Sequence, residues 1–180
     1  MHILNLVIMN KLILSQLTHF KRVNIPKYIE SKIQATALKH LDLSDMGKLR
    51  DRMEGQVYYS KLRTDIFSEF AFENIIGIRN FDWEKRSVKS FKRKKYIFGE
   101  KTLNIIPFEN DNLPKISSEH VTNCIFVHVN IDNRVLLSGL ATKSYINEIG
   151  LKNDSKIIEI CEFQNLIEFS TIEELILKMQ

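Results

Sequence analysis

The sequence predicts a mixed α/β fold of the α+β kind, a central mixed sheet of about five strands flanked by helices and preceded by an N-terminal helical region. Three observations predict it. Apolar residues recur every three or four positions from Ile25 to Ile76. After residue 94 the period shortens to two, with turn residues between short β-rich runs. A capping signature then opens a last helix at residue 170. A chain of 180 residues, 44% apolar and 27% charged, is long enough for one such core, and six Gly and three Pro leave no room for a low-complexity linker.

The opening MHILNLVIMNKLIL is apolar but broken by Asn5, Asn10 and Lys11. It is too short and too interrupted to span a bilayer, and it lacks the basic start and small-residue cleavage site of a signal peptide. Met9 offers an alternative start that would leave residues 1–8 outside the natural protein, and the chain reads as cytoplasmic with no membrane contact. In IPKYIESKIQATALKHL, Pro26 sits one position into a helix that places Tyr28, Ile29, Ile33, Ala37, Leu38 and Leu41 on its apolar side. From Ser44 a second helix or helix pair carries Met46, Leu49, Met53, Val57, Ile66, Phe70 and Ile75 at helical intervals. Gly55 is its expected break or bend and Gly77 its stop.

Two hairpins follow, KKYIF and TLNIIPF around GEK, then NCIFVHVNI and RVLLSGLA around DN, forming a β-meander. Ile125, Val127 and Val129 alternate with Phe126 and His128, the pattern of a sheet packed on both faces. Thr142 caps a short helix ended by Gly150, KIIEICEF is a further strand, and Ser170 with Glu173 forms the capping box of the final helix. Residues 1–60 are expected as the helical N-terminal region and 61–180 as the α/β domain. Leu12, Leu14, Leu17 and Phe20 in the first region either pack internally or join two copies as a homodimer. Cys124 and Cys161 lie in apolar runs without CxxC spacing or nearby His pairs, and read as free thiols in a reducing compartment.

The chain has no glycine-rich phosphate loop, GxSxG, HExxH or paired CxxC, which argues against nucleotide phosphoryl transfer, serine hydrolysis and structural zinc. Its formal net charge is +4, and the charge is concentrated. Seven of the eleven residues 85–95 are basic: Lys85, Arg86, Lys89, Lys92, Arg93, Lys94 and Lys95, with Phe91 and Tyr96 beside the densest part. Lysine and arginine neutralise phosphates and aromatic rings stack on bases, so these seven residues and Tyr96 form a candidate DNA- or RNA-binding surface. A solvated charged loop is the alternative.

Glu69 and Glu73 stand four apart in SEFAFENIIG, Asp82 follows in NFDWEK, then come the first hairpin and the strand pair IFVHVN and RVLLSGLATKSYI. This order resembles the PD-(D/E)XK, or restriction-endonuclease-like, nuclease superfamily over about residues 65–150. The resemblance implies a helix glutamate ahead of a hairpin that carries Asp and then Glu-x-Lys. The carboxylates there hold Mg²⁺ against the scissile phosphate while the lysine orients or activates water. Here Asn104-Ile105-Ile106 occupies the Glu-x-Lys place, and KKYIF has no acid. Two outcomes stay open. Glu109 and Asp111 supply carboxylates displaced along the chain and act with Glu73 and Asp82 as a catalytic set, Asp82 and Glu109 binding the metal. Otherwise the nuclease-like fold persists as a DNA-binding module without chemistry. A reading from another class is a protein–protein interaction or inhibitor module of a mobile element or defence system, whose basic loop meets an acidic protein.

Overall fold

A computed structural model describes residues 15, 17–78, 95–109, 112–130, 134–149, 151–152 and 156–179. After a 3₁₀ turn at Leu17–His19 come β1 (Lys21–Asn24), α1 (Lys27–Leu41), α2 (Met46–Arg50) and α3 (Met53–Ile76). The second half contains β2 (Lys95–Phe98), β3 (Lys101–Phe108), β4 (Lys115–Ser117), β5 (Asn123–Val129), β6 (Arg134–Ala141), α4 (Lys143–Ile149), β7 (Leu151–Lys152), β8 (Ile157–Glu159) and α5 (Ile172–Lys178). Five strands make one mixed sheet in the order β1-β6-β5-β3-β2, and β4-β8-β7 make a second, smaller one. The expected mixed fold with a five-strand central sheet and flanking helices is therefore the observed one.

Both hairpins form, but they do not join as a meander. β3 and β5 run parallel, with Ile105 opposite Ile125 and Phe108 opposite His128. A parallel neighbour needs a crossover, and the chain makes it through β4 and a 3₁₀ turn at Ser118–His120. The sheet also takes a strand from the region expected to be helical: β1 pairs antiparallel with β6, Val23 opposite Val135. The boundary expected at residue 60 falls inside α3.

Each sheet face carries its own core, as the alternation in β5 predicts. Ile125, Val127 and Val129 join Leu103 and Ile105 under α1 and α3, packed on Ile29, Ile33, Ala37, Leu62, Ile66, Phe67 and Phe72. Cys124, Phe126, Ile106 and Phe108 face the other way, onto Leu17, Phe20, Ile146, Ile158 and Phe163. Leu17 and Phe20 are thus spent inside their own chain, while Leu12 and Leu14 lie outside the described residues.

In β6 the alternation is broken once. Ile125 opposes Leu140 and Val127 opposes Leu137, so Ser138 and Gly139 together face one residue of β5. The Ser138 hydroxyl accepts from the Phe126 N–H at 2.9 Å, occupying a donor that the irregular ladder leaves over. A Cβ on Gly139 would lie 2.8 Å from the Ile167 carbonyl oxygen, which is why no side chain fits where residues 166–167 cross the strand.

Several local expectations shift. The break between α2 and α3 comes at Asp51–Arg52 rather than Gly55, which is buried inside α3. Gly77 does end α3, in the left-handed conformation at φ 72°. Met53 and Val57 are 81% and 61% exposed, and the buried apolar side chains of α3 begin at Leu62. Pro26 is the residue before α1, not within it, and Tyr28 is 57% exposed. The final cap is displaced by one position. Thr171 accepts from the Glu174 N–H at 3.2 Å, and the Glu174 carboxylate accepts from the Ser170 N–H at 2.8 Å.

Candidate functional site

Helix α3 presents a line of carboxylates, Asp65, Glu69 and Glu73, at four-residue spacing and 3%, 3% and 4% exposed. Spacing of four returns a side chain to nearly the same helical face, so Glu69 and Glu73 share a face as expected, and Asp65 extends it. Asp65 was legible by the same spacing in RTDIFSEFAFE, but the resemblance named only a later acid. Carboxylates this buried require partners. For Glu73 one partner is the hydroxyl of Tyr96, which donates to Oε1 at 3.0 Å, while the Tyr96 ring meets Phe72 edge-on at 4.7 Å. Tyr96 is 3% exposed and belongs to the core, so it is not the base-stacking surface residue expected. Strand alternation explains the correction: Lys95 and Ile97 point outward from β2 and Tyr96 points under α3.

Glu109 lies beside the middle of the same helix. It follows the last residue of β3, is exposed, and accepts from Thr64 Oγ1 at 3.0 Å beside a cleft of about 370 Å³ lined by Lys61, Thr64, Asp65 and Pro107. Nearby His128 is buried on β5, its ring 5.2 Å from that of Phe108. Burial lowers the His128 pKa, and the Glu109 carboxylate pushes it partly back up. This is the packed imidazole of an apolar strand rather than an exposed base.

Two paths give the offset along the backbone between the groups that hold Glu73 and Glu109. Thr64, which holds Glu109, is nine residues from Glu73 along α3, about 13 Å at 1.5 Å per residue. Leu103, opposite Tyr96, is six residues from Glu109, about 20 Å along an extended strand. Mg²⁺ binds oxygen at about 2.0–2.1 Å, and with Glu73 bonded to Tyr96 and Glu109 bonded to Thr64 the two carboxylates are not turned toward one ion. Asp82 and Asp111, the other two members of the expected catalytic set, lie outside the described residues, as do Lys85, Arg86, Lys89, Lys92, Arg93 and Lys94. Among the described residues no three His, Cys, Asp or Glu side chains gather as metal ligands.

The positions compared with Glu-x-Lys also lie on the wrong face of the sheet for such a site. Asn104 donates to Thr122 Oγ1 at 2.8 Å, and Ile106 packs with Phe108, Cys124 and Phe126. Both belong to the sheet face opposite α3. An acid at 104 and a lysine at 106 would therefore stand across the sheet from Glu69 and Glu73. Both cysteines are free, and burial drives the Cys124 thiol up to about 12.

Lys95 is the one member of the expected basic surface that is described and exposed, at the start of β2, an edge strand of the central sheet. No helix among the described residues is long and apolar enough to cross a membrane. No protein-family model, curated protein or solved structure matches the chain.

Proposed function

We propose that the chain is a cytoplasmic, nucleic-acid-associated protein with a nuclease-like α/β domain of the PD-(D/E)XK kind that binds the phosphate backbone without hydrolysing it. The observation that carries this reading is the charge of residues 85–95, seven Lys and Arg with no acid, delivered to an edge strand whose first residue, Lys95, is exposed. Binding without hydrolysis is favoured by the carboxylates. Glu73 is buried against Tyr96, and Glu109 is bonded to Thr64, about 13 Å along α3 from Glu73. A Mg²⁺-dependent nuclease would need another grouping, with Asp82, Glu109 and Asp111 around the ion.

The test is the affinity for a random duplex between 50 and 200 mM salt. Four to seven phosphate contacts predict a weakening of about 10² to 10⁴-fold, and neutralising Lys92, Arg93 and Lys94 to Ala flattens the log–log slope by about 2.7. Salt-independent binding, or none, refutes the reading and turns attention to a protein partner. Cleavage in Mg²⁺ or Mn²⁺ that is abolished by both Asp82→Ala and Glu109→Ala refutes the non-hydrolytic part alone.

A further inference from the structure

Helix α1 buries Ile29, Ile33 and Ala37 and turns the opposite face outward. Along that face lie Tyr28, Lys32, Ala35 and Lys39, within about 60° of one another on a helical projection, all of them exposed. Thr36 borders the stripe, and Lys32, Ala35, Thr36, Lys39 and His40 line a shallow concavity of about 260 Å³. His40 is held in place, its Nδ1 2.7 Å from the Tyr58 hydroxyl on α3. The stripe carries no acid, since the helix's single carboxylate, Glu30, falls on the far side.

We propose that this stripe is a second phosphate-backbone contact surface for nucleic acid, distinct from residues 85–95. The inference rests on the nucleic-acid reading above and adds a site made entirely of described residues. Lys32 and Lys39 are two helical turns apart, about 10.5 Å, so their flexible side chains can reach separate phosphates of one backbone. Between them stands Ala35, whose short side chain lets a backbone approach the helix. One turn before Lys32, Tyr28 offers a ring that the core has not used, 57% exposed. Cations in a row beside an accessible aromatic match a sugar-phosphate chain with an unstacked base. A lipid surface fits less well, because membrane-surface helices insert an apolar face and that of α1 is already buried in the core.

The experiment uses the full chain, a fluorescent random duplex and its single strand. Lys32 and Lys39 are exposed, so Lys32→Ala/Lys39→Ala leaves the circular dichroism and Tm unchanged. The expected result is a duplex salt slope flatter by about 1.8, additive with the change from Lys92, Arg93 and Lys94, together with single-strand binding about fivefold or more weaker in Tyr28→Ala. Full duplex binding with an unchanged slope in the double variant overturns the α1 site but leaves the proposed function standing. Failure of the unaltered chain to bind either strand form overturns both. Binding of phosphatidylserine vesicles or polyglutamate that depends on Lys32 and Lys39 as strongly as duplex binding does also overturns the proposal, in favour of a membrane or an acidic polypeptide.

Discussion

Replacing Tyr96 by Phe removes one oxygen from the interior and tests whether Glu73 is a structural residue. The hydroxyl donates to Glu73 at 3.0 Å with both residues more than nine-tenths buried, so water cannot easily take over the bond. Removing one partner of a buried hydrogen bond costs about 1–3 kcal/mol, and the ring stays edge-on to Phe72, so the bond is the chief loss. For a chain of this length 1 kcal/mol corresponds to about 2–4 °C, which predicts a fall in Tm of about 2–12 °C. Urea unfolding followed by circular dichroism measures the same loss as a lower midpoint at constant slope. Glu73→Ala is also destabilising, and in the double variant the losses fall short of additive by at least about 0.5 kcal/mol, since each single change already breaks the shared bond. A loss below about 0.5 kcal/mol in Tyr96→Phe, or strict additivity, would refute the pairing and return Glu73 to the list of available carboxylates.

Other substitutions probe the fold that positions these groups. Gly139→Ala places a methyl 2.8 Å from the Ile167 carbonyl and 3.0 Å from two backbone carbons, and is expected to cost about 1–3 kcal/mol in urea unfolding. Gly77→Ala meets no atom within 4 Å but forces a left-handed alanine at φ 72°, a loss of about 1–2 kcal/mol from conformation alone. Thr171→Ala removes the cap of α5 and lowers stability by about 1 kcal/mol, whereas Ser170→Ala, which keeps its backbone bond to Glu174, leaves the midpoint within about 0.5 kcal/mol. With its pKa raised to about 12, the Cys124 thiol is about one part in ten thousand thiolate at pH 8. Iodoacetamide followed by mass spectrometry should therefore leave Cys124 unmodified in the folded chain and modify it in urea.

What the sequence alone determined is what depends on neighbours along the chain. Alternation in CIFVHVNI assigned Ile125 and Val127 to one core and Phe126 and His128 to the other, and the structure keeps that division. Gly77 ended its helix for the conformational reason read in advance. The basic run and the lack of Glu-x-Lys in TLNIIPF are likewise plain in the residues. Misreadings concern quantities that local periodicity does not encode. KRVN is too short and too charged to announce β1, and becomes a strand because β6 offers it a free edge. Tyr28 reads as apolar-side next to Ile29, yet one residue is 100° of helix, and the sheet chose the face of Ile29, Ile33 and Ala37. The candidate catalytic set shows the limit most clearly. Glu109 follows the 104–106 positions closely and Glu73 stands on the helix before the hairpin, but Glu109 is bonded to Thr64, about 13 Å along α3 from Glu73, and strand alternation puts Asn104 and Ile106 on the opposite face. Convergence of side chains is a property of packing between distant segments, so tertiary structure alone decided which carboxylates could meet.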